Sequence, residues 1–239
     1  MKRSFYPART LARTFAPHPR AAPSYRTFVY SSAVPLHIVE HPLVHAALAT
    51  LRDKCTPPED FRRTANRISL LLAAEALRDL PQRDEVVDTP LGPAPARRLD
   101  ADLVVVPVLR AGLGMLDAVL ELVPSARVGH IGLQRDELTA IASRYYTKFP
   151  PDLPGSHVLI IDPMLATGGS AVAALRLLRE AGARDVLMIC IVAAPEGVAL
   201  VEREFPDVHV YTPVVDERLN DHKFIVPGLG DFGDRLYGT

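Results

Sequence analysis

Short runs of uninterrupted apolar residues alternate along this chain with stretches in which apolar residues recur every three or four positions. Leu103 to Val108 and Val158 to Ile161 are almost wholly apolar and rich in β-branched residues, as strands buried on both faces of a parallel sheet are. Leu113 to Leu122 has helical spacing. So does the stretch from Ala171 onward, with Val172, Leu175 and Leu178 on one side and Gly182 as its stop. Arg127 to Leu133, Asp185 to Ala193 and Val208 to Tyr211 read as further strands, and Glu196 to Glu204 as a further helix. Repeated β–α units of this kind predict an α/β fold: a mostly parallel sheet flanked by helices on both faces.

The pattern is different ahead of these units. Leu43 to Lys54 has Leu43, Ala47, Leu48 and Leu51 on one side of a helix. Thr56-Pro57-Pro58-Glu59 announces a second helix, with Thr56 as cap, Pro57 in the first turn and Glu59 closing a capping box. That helix runs through Phe61, Ala65, Ile68, Leu72 and Ala76 towards Leu80, where Pro81 ends it. Asp84 to Arg98 has strand-like pieces around a Pro- and Gly-rich centre, which predicts a two-stranded β-arm. Gln134 to Ser156 is irregular, polar and aromatic, and a segment of that length in a compact domain is expected to be a flexible lid or arm.

Residues 1–35 carry Lys2, Arg3, Arg9, Arg13, Arg20 and Arg26 and no acid. An Arg-rich, acid-poor start suits a transit peptide, but Pro7, Pro17, Pro19 and Pro23 break any long amphipathic helix there. A disordered tail or an over-extended start is the expectation, with one domain over residues 36–239. The formal net charge of −1 lacks the basic excess of a general nucleic-acid binder. Cys55 and Cys190 stand alone, without metal-type spacing, and Cys190 sits in an apolar strand as a buried free thiol would. A reducing, cytoplasmic setting follows. No apolar run approaches the length of a membrane span.

Chemistry concentrates where strands hand over to helices, because ligands of open parallel sheets bind outside the carboxyl ends of the strands. After Ile161 come Asp162-Pro163-Met164-Leu165-Ala166-Thr167-Gly168-Gly169-Ser170. Two glycines, two hydroxyls and the N–H groups opening a helix form a cradle for a phosphate. Asp162 cannot hold a phosphate, yet it accepts hydrogen bonds from sugar hydroxyls, so the pair reads as a site for a ribose 5′-phosphate. There is no lysine at P-loop spacing and no G-x-G-x-x-G after a strand. After Val108, Arg110 is followed by Gly112 and Gly114. A guanidinium and close backbone N–H groups there would clamp a second anion, while a helix-start arginine without one opposes the helix dipole. Arg135, at the root of the irregular segment, reaches either the same phosphate or an acidic neighbour. The run from His222 to Thr239, with Gly230, Asp231 and Phe232 at its centre, reads as too glycine-rich for a helix. It can present backbone groups to a planar neutral base, or it can be a packed C-terminal hairpin.

With these sites in order, the chain closely resembles the uracil phosphoribosyltransferases, a branch of the type I phosphoribosyltransferases. The resemblance rests on Val106-Pro-Val-Leu-Arg-Ala-Gly-Leu-Gly-Met115, Val123-Pro-Ser-Ala-Arg127, Asp162 to Ser170, Val192-Ala-Ala-Pro-Glu-Gly197, Pro227-Gly-Leu-Gly-Asp-Phe-Gly-Asp234 and His41-Pro-Leu-Val44. Together these cover the chain from about Leu36 to its end. The resemblance implies Mg²⁺-dependent transfer of 5-phosphoribosyl from its 1-diphosphate (PRPP) to uracil, giving UMP and diphosphate in pyrimidine salvage. It assigns Asp162 to the ribose hydroxyls, Met164 to Ser170 to the 5′-phosphate, and Arg110 and Arg135 to the diphosphate. Ile225 and Gly230 to Phe232 would contact uracil, with Asp231 also near PRPP and its metal. Asp162, Arg110 and Asp231 are thus the expected catalytic residues. A homo-oligomer, dimer or tetramer, and in some members activation by GTP are implied as well.

The chain departs from the family pattern at Gln134, where a tyrosine is usual, in the arm motif Ile141-Ala-Ser-Arg-Tyr145, and at Phe224. Two other readings stand beside this one: a nucleotide-sensing regulator on the same fold that binds RNA, and a family member that has lost turnover. The regulator would need a basic face, and the basic residues here are diluted outside the first 35.

Overall fold

The computed structural model describes residues 36–135 and 142–239, with the backbone alone at 135, 142 and 143. In chain order the elements are β1 (Leu36–Ile38), α1 (Pro42–Arg52), α2 (Pro58–Ala76), β2 (Gln82–Thr89), β3 (Gly92–Leu99), β4 (Leu103–Leu109), α3 (Leu113–Leu122), β5 (Arg127–Val128), β6 (His130–Arg135) and β7 (Ala142–Lys148). They continue with β8 (His157–Ile161), β9 (Met164–Leu165), α4 (Gly169–Glu180), β10 (Asp185–Ile189), β11 (Val192–Ala193), α5 (Pro195–Glu204), β12 (His209–Thr212), β13 (Arg218–Leu219), β14 (Ile225–Val226) and α6 (Phe232–Tyr237). The main sheet has the order β1-β12-β10-β8-β4-β6-β7, with β5 also beside β4, and every pairing in it is parallel except β6–β7.

Alternate residues of the central strands build two cores, as the period of a strand requires. Leu103, Val105, Leu159 and Ile161 face one layer, packed with Leu51, Phe61, Ile68, Leu72 and Met115 from α1, α2 and α3, and with Phe232 and Leu236 from α6. Val104, Val106, Val158 and Ile160 face the other, against Ala171, Leu175 and Leu178 of α4 and Val198 and Val201 of α5. The helix-on-both-faces expectation is met, and β2 with β3 forms the predicted two-stranded arm over its full length.

Several expectations are corrected. Thr56 does not cap α2: Pro57 is its N-cap without a side-chain bond, and the Thr56 hydroxyl instead donates to the Thr50 carbonyl at 2.6 Å. The helix ends at Ala76, because Leu77 to Leu80 turn back on themselves through Arg78 N–H to Glu75 and Leu80 N–H to Leu77. The segment after Gln134 is not irregular throughout, since β7 pairs antiparallel with β6. Its outward side chains, Tyr145 and Tyr146 among them, leave an edge strand without the apolar signature of a buried one. Residues 136–141, where the lid expectation is centred, lie outside the described residues, as do residues 1–35.

Two strands are also broken. Asp185 to Ala193 parts after Ile189, where Ile191 and Val192 turn their N–H groups to the Pro163 carbonyl and leave the main sheet. Arg127 to Leu133 parts at Gly129. The C-terminal run does hold a helix, α6, despite its glycines. Asp231 caps it by accepting the Asp234 N–H at 2.9 Å, and Gly238 closes it at φ 74°, so only Gly233 falls inside.

Candidate active site

The cradle begins where β8 ends. Asp162 is 8% exposed, and its Oδ1 accepts the Met164 N–H at 3.4 Å. Pro163 and Leu165 work as scaffold. The Pro163 carbonyl accepts N–H groups from Ile191 and Val192, and that of Leu165 accepts the Ala194 N–H at 2.8 Å. Ala166 to Ser170 are left to form the turn into α4. Gly168 takes φ 81° there, and the Thr167 hydroxyl accepts the Gly169 N–H at 3.3 Å. A Cβ on Gly168 would lie 2.9 Å from the Gly197 carbonyl oxygen, and one on Gly197 only 2.5 Å from that of Ala166. Glycine at both places lets the first turn of α5 press against the cradle. That is the physical content of the Val192–Gly197 pattern.

The Arg110 loop leaves the adjacent parallel strand, where Pro107 is in register with Ile161. Its first peptide, Leu109–Arg110, is cis. Gly112 packs against the Ile161 carbonyl so closely that a Cβ would stand 2.5 Å from it, so this loop and the Asp162 turn are in contact. The Arg110 side chain is exposed and has no ion-pair partner among the described residues. With the positive end of α3 two residues away, the place favours an anion twice over.

The C-terminal segment completes one rim. After β14 come the cis Val226–Pro227 peptide, Gly228, Leu229, Gly230 and Asp231. Gly114 leaves room for Leu236, whose δ carbon would be 2.7 Å from a Cβ there, so α6 seats on the first turn of α3. The Tyr237 hydroxyl then donates to the Arg110 carbonyl at 3.4 Å. On the other side the Asp216 N–H donates to the Ala193 carbonyl at 2.8 Å and the Leu219 N–H to the Glu196 carboxylate at 3.1 Å, which fastens the β13–β14 hairpin to the flank of the cradle. Gly230 and Asp231 are exposed, whereas Ile225 is 5% and Phe232 1% exposed. The Phe232 ring lies edge-on to Phe61, centroids 5.1 Å apart, so Phe232 has only its backbone to offer a ligand. Arg135 ends β6, the next strand along, its backbone paired with Ala142 and its side chain outside the described residues.

The predicted residues therefore meet at one end of the sheet, with one exception among the resemblance motifs. Arg127 sits at the opposite, amino end of β4, paired with Asp102, where Ser156 also binds the carboxylate at 2.7 Å. Beneath Asp162, burial pushes the Cys190 thiol up to about 12; a hydrogen bond with Thr212 opposes the shift and the Asp162 charge adds to it. A thiol held neutral in this way is no nucleophile. Among the described residues, no three His, Cys, Asp or Glu groups gather as a metal site. Two residues absent from the sequence reading, Arg52 and Asp216, grip the turn at Gly228. They stand 164 positions apart, and neither lies in a motif.

A glycine-rich turn opening a helix, a nearly buried acid and an exposed arginine, gathered at the carboxyl ends of adjacent parallel strands, are the parts a phosphoribosyltransferase needs. A profile of the family described as Uracil phosphoribosyltransferase matches residues 38–239. The uracil phosphoribosyltransferase of Dictyoglomus thermophilum is 52% identical over 203 residues, which is 84% of this chain and 98% of the relative. That of Thermus thermophilus is also 52% identical over the same shares. Among solved structures, the AQ2163 protein from Aquifex aeolicus superposes with a TM-score of 0.82 at 40% identity, over 85% of this chain and 98% of its own. The chain belongs to the uracil phosphoribosyltransferase family, and it is accordingly a pentosyltransferase. Among the described residues, no helix is long and apolar enough to cross a membrane.

Proposed function

We propose that this chain joins uracil to the ribosyl carbon of PRPP, forming UMP and releasing diphosphate, with residues 36–239 as the catalytic domain. The observation that carries the reading is the contact between the Gly112 loop and Ile161, which brings the Arg110 clamp beside the Asp162 cradle. The turn from Met164 to Ser170, with Thr167 and the N–H groups opening α4, receives the 5′-phosphate. Asp162 accepts the ribose hydroxyls, and Arg110, with Arg135 from the neighbouring strand, holds the diphosphate. Ile225 and the backbone of Gly230 to Phe232 read the edge of uracil.

Breaking the anomeric C–O bond develops positive charge on the ribose and negative charge on the departing diphosphate. Asp162 lies on the side of the first and Arg110 on the side of the second, so catalysis is electrostatic and positional. When bound with PRPP, Mg²⁺ supplies further positive charge at the diphosphate, and Asp231, exposed at the rim, is the carboxylate that would hold it. No covalent intermediate on the protein is required.

The exposed arm, with Leu91 fully exposed at its tip and Val86 72% exposed, supports action as a homo-oligomer. Both cysteines are free thiols, in keeping with a reducing cytoplasm. Activation by GTP rests on the family resemblance and is read by adding GTP to the assay. That assay incubates the chain with PRPP, Mg²⁺ and each of uracil, cytosine, hypoxanthine and adenine and identifies the products. UMP from uracil alone is expected. A purine nucleotide as the main product, or RNA binding without UMP formation, would overturn the reading.

A further inference from the structure

The turn proposed to read uracil is gripped from behind by a buried ion pair. The Asp216 side chain is 4% exposed and that of Arg52 24%. Arg52 Nη2 donates to Asp216 Oδ1 at 2.6 Å and Nη1 to Oδ2 at 3.0 Å. The same Nη1 donates to the Gly228 carbonyl at 3.0 Å, and the Gly228 N–H donates to Asp216 Oδ2 at 2.8 Å. Both polar groups of one glycine are thus held by one guanidinium–carboxylate pair. Gly228 stands at φ 58°, and a Cβ there would lie 2.2 Å from the Ile225 carbonyl oxygen, so no side chain is accommodated.

A turn needs nothing this elaborate to stay folded. Replacing a buried ion pair by apolar groups is often neutral or stabilising, so its stability contribution does not explain it; a single defined geometry does. Geometry also follows from where the two partners stand. Arg52 ends α1, while Asp216 donates its backbone N–H to Ala193 of β11, the strand beside the cradle strand β9. The carboxylate therefore refers the position of Gly228 to the frame that holds the phosphate cradle. The far side of the turn is held independently by Arg235, which donates to the Leu229 carbonyl at 2.9 Å and to the Asp53 carbonyl at 2.6 Å. Loss of the Arg52 grip should displace the turn without freeing it.

We propose that Arg52 and Asp216 are positioning residues for base recognition, setting the affinity for uracil through Gly228 without touching substrate. This rests on the proposed role of Ile225 to Phe232. Lysine at 52 keeps the charge but cannot bridge a carboxylate and a carbonyl in one plane, and asparagine at 216 keeps an acceptor but loses the charge. In Arg52→Lys and Asp216→Asn, the KM for uracil should rise about tenfold or more while the KM for PRPP stays within about twofold. Hydrogen exchange of the unaltered protein with and without UMP supplies the independent arm, and protection across residues 225–232 is expected. Protection there with an unchanged uracil KM in the variants overturns the positioning role and leaves the base-reading role standing. Absence of protection overturns both. An equal rise in the two KM values, or failure of both variants to fold, makes the pair a structural support and overturns the proposal.

Discussion

The backbone of Gly112 lies so close to the carbonyl oxygen of Ile161 that a Cβ, which glycine lacks, would stand only 2.5 Å from it. Ile161 precedes Asp162, and Gly112 follows Arg110 by two residues, so this contact sets the spacing between the two halves of the proposed PRPP site. Gly112→Ala forces a backbone shift on one of them. A loss of about 1–3 kcal/mol in unfolding free energy is expected, accompanied by a higher KM for PRPP. An alanine variant with the parent Tm and parent KM would show that the contact carries no such constraint.

Asp162→Asn keeps the size of the side chain and an acceptor for the Met164 N–H, so the fold should persist. The lost negative charge should cost about 100-fold or more in kcat, the scale on which removing one preorganised electrostatic group acts. Circular dichroism and single-turnover rates check the two halves of this statement. An unchanged kcat/KM would remove Asp162 from the reaction.

Arg110 presents an exposed guanidinium beside the positive end of α3, and its proposed partner is the diphosphate. Arg110→Ala should raise the KM for PRPP about ten- to a hundredfold, the value of one or two charge-assisted hydrogen bonds, and that for uracil much less. Equal losses for the two substrates would contradict the assignment.

The amino ends of the strands should behave oppositely. The Asp102 carboxyl is held below its usual range by the hydrogen bond from Ser156 and by Arg127, against a smaller opposing effect of burial. A carboxyl depressed in the folded state adds stability above its unfolded pKa, about 3.9, and loses it as pH falls through the lower folded value. Asp102→Asn should therefore lower Tm near neutrality and flatten its decline below about pH 4, leaving kcat/KM intact. A Tm profile parallel to that of the parent at every pH is the contrary result.

How much of this was legible in the sequence depends on the range of the interactions. Val158–Ile161 and Leu103–Val108 advertise buried strands because every position faces a core, and the Gly-rich turns after them advertise the site. The edge strand β7 has no such signature, since Tyr145 and Tyr146 face outward. The helix α6 is hidden among glycines whose roles differ: Gly228 and Gly230 precede its cap, Gly238 ends it, and one lies within. Thr56 had every local credential of a cap, but the Thr50 carbonyl took its hydroxyl. The Arg52–Asp216 grip leaves no local trace, because it depends on two segments far apart in the chain meeting over a third.

The free thiols offer a test of the interior. Burial raises the Cys190 thiol to about 12, whereas Cys55 is exposed. In the native protein a thiol reagent should label one cysteine promptly at pH 8 and the second only on unfolding. Rapid labelling of both would mean that the layer beneath Asp162 is open to solvent.

The most direct measurement is a crystal structure of the chain with UMP bound. The phosphate should rest on the turn from Thr167 to Ser170, the ribose hydroxyls on Asp162, and the uracil edge on the backbone between Ile225 and Phe232. UMP bound elsewhere, or with its base turned away from that segment, would contradict the single-pocket account.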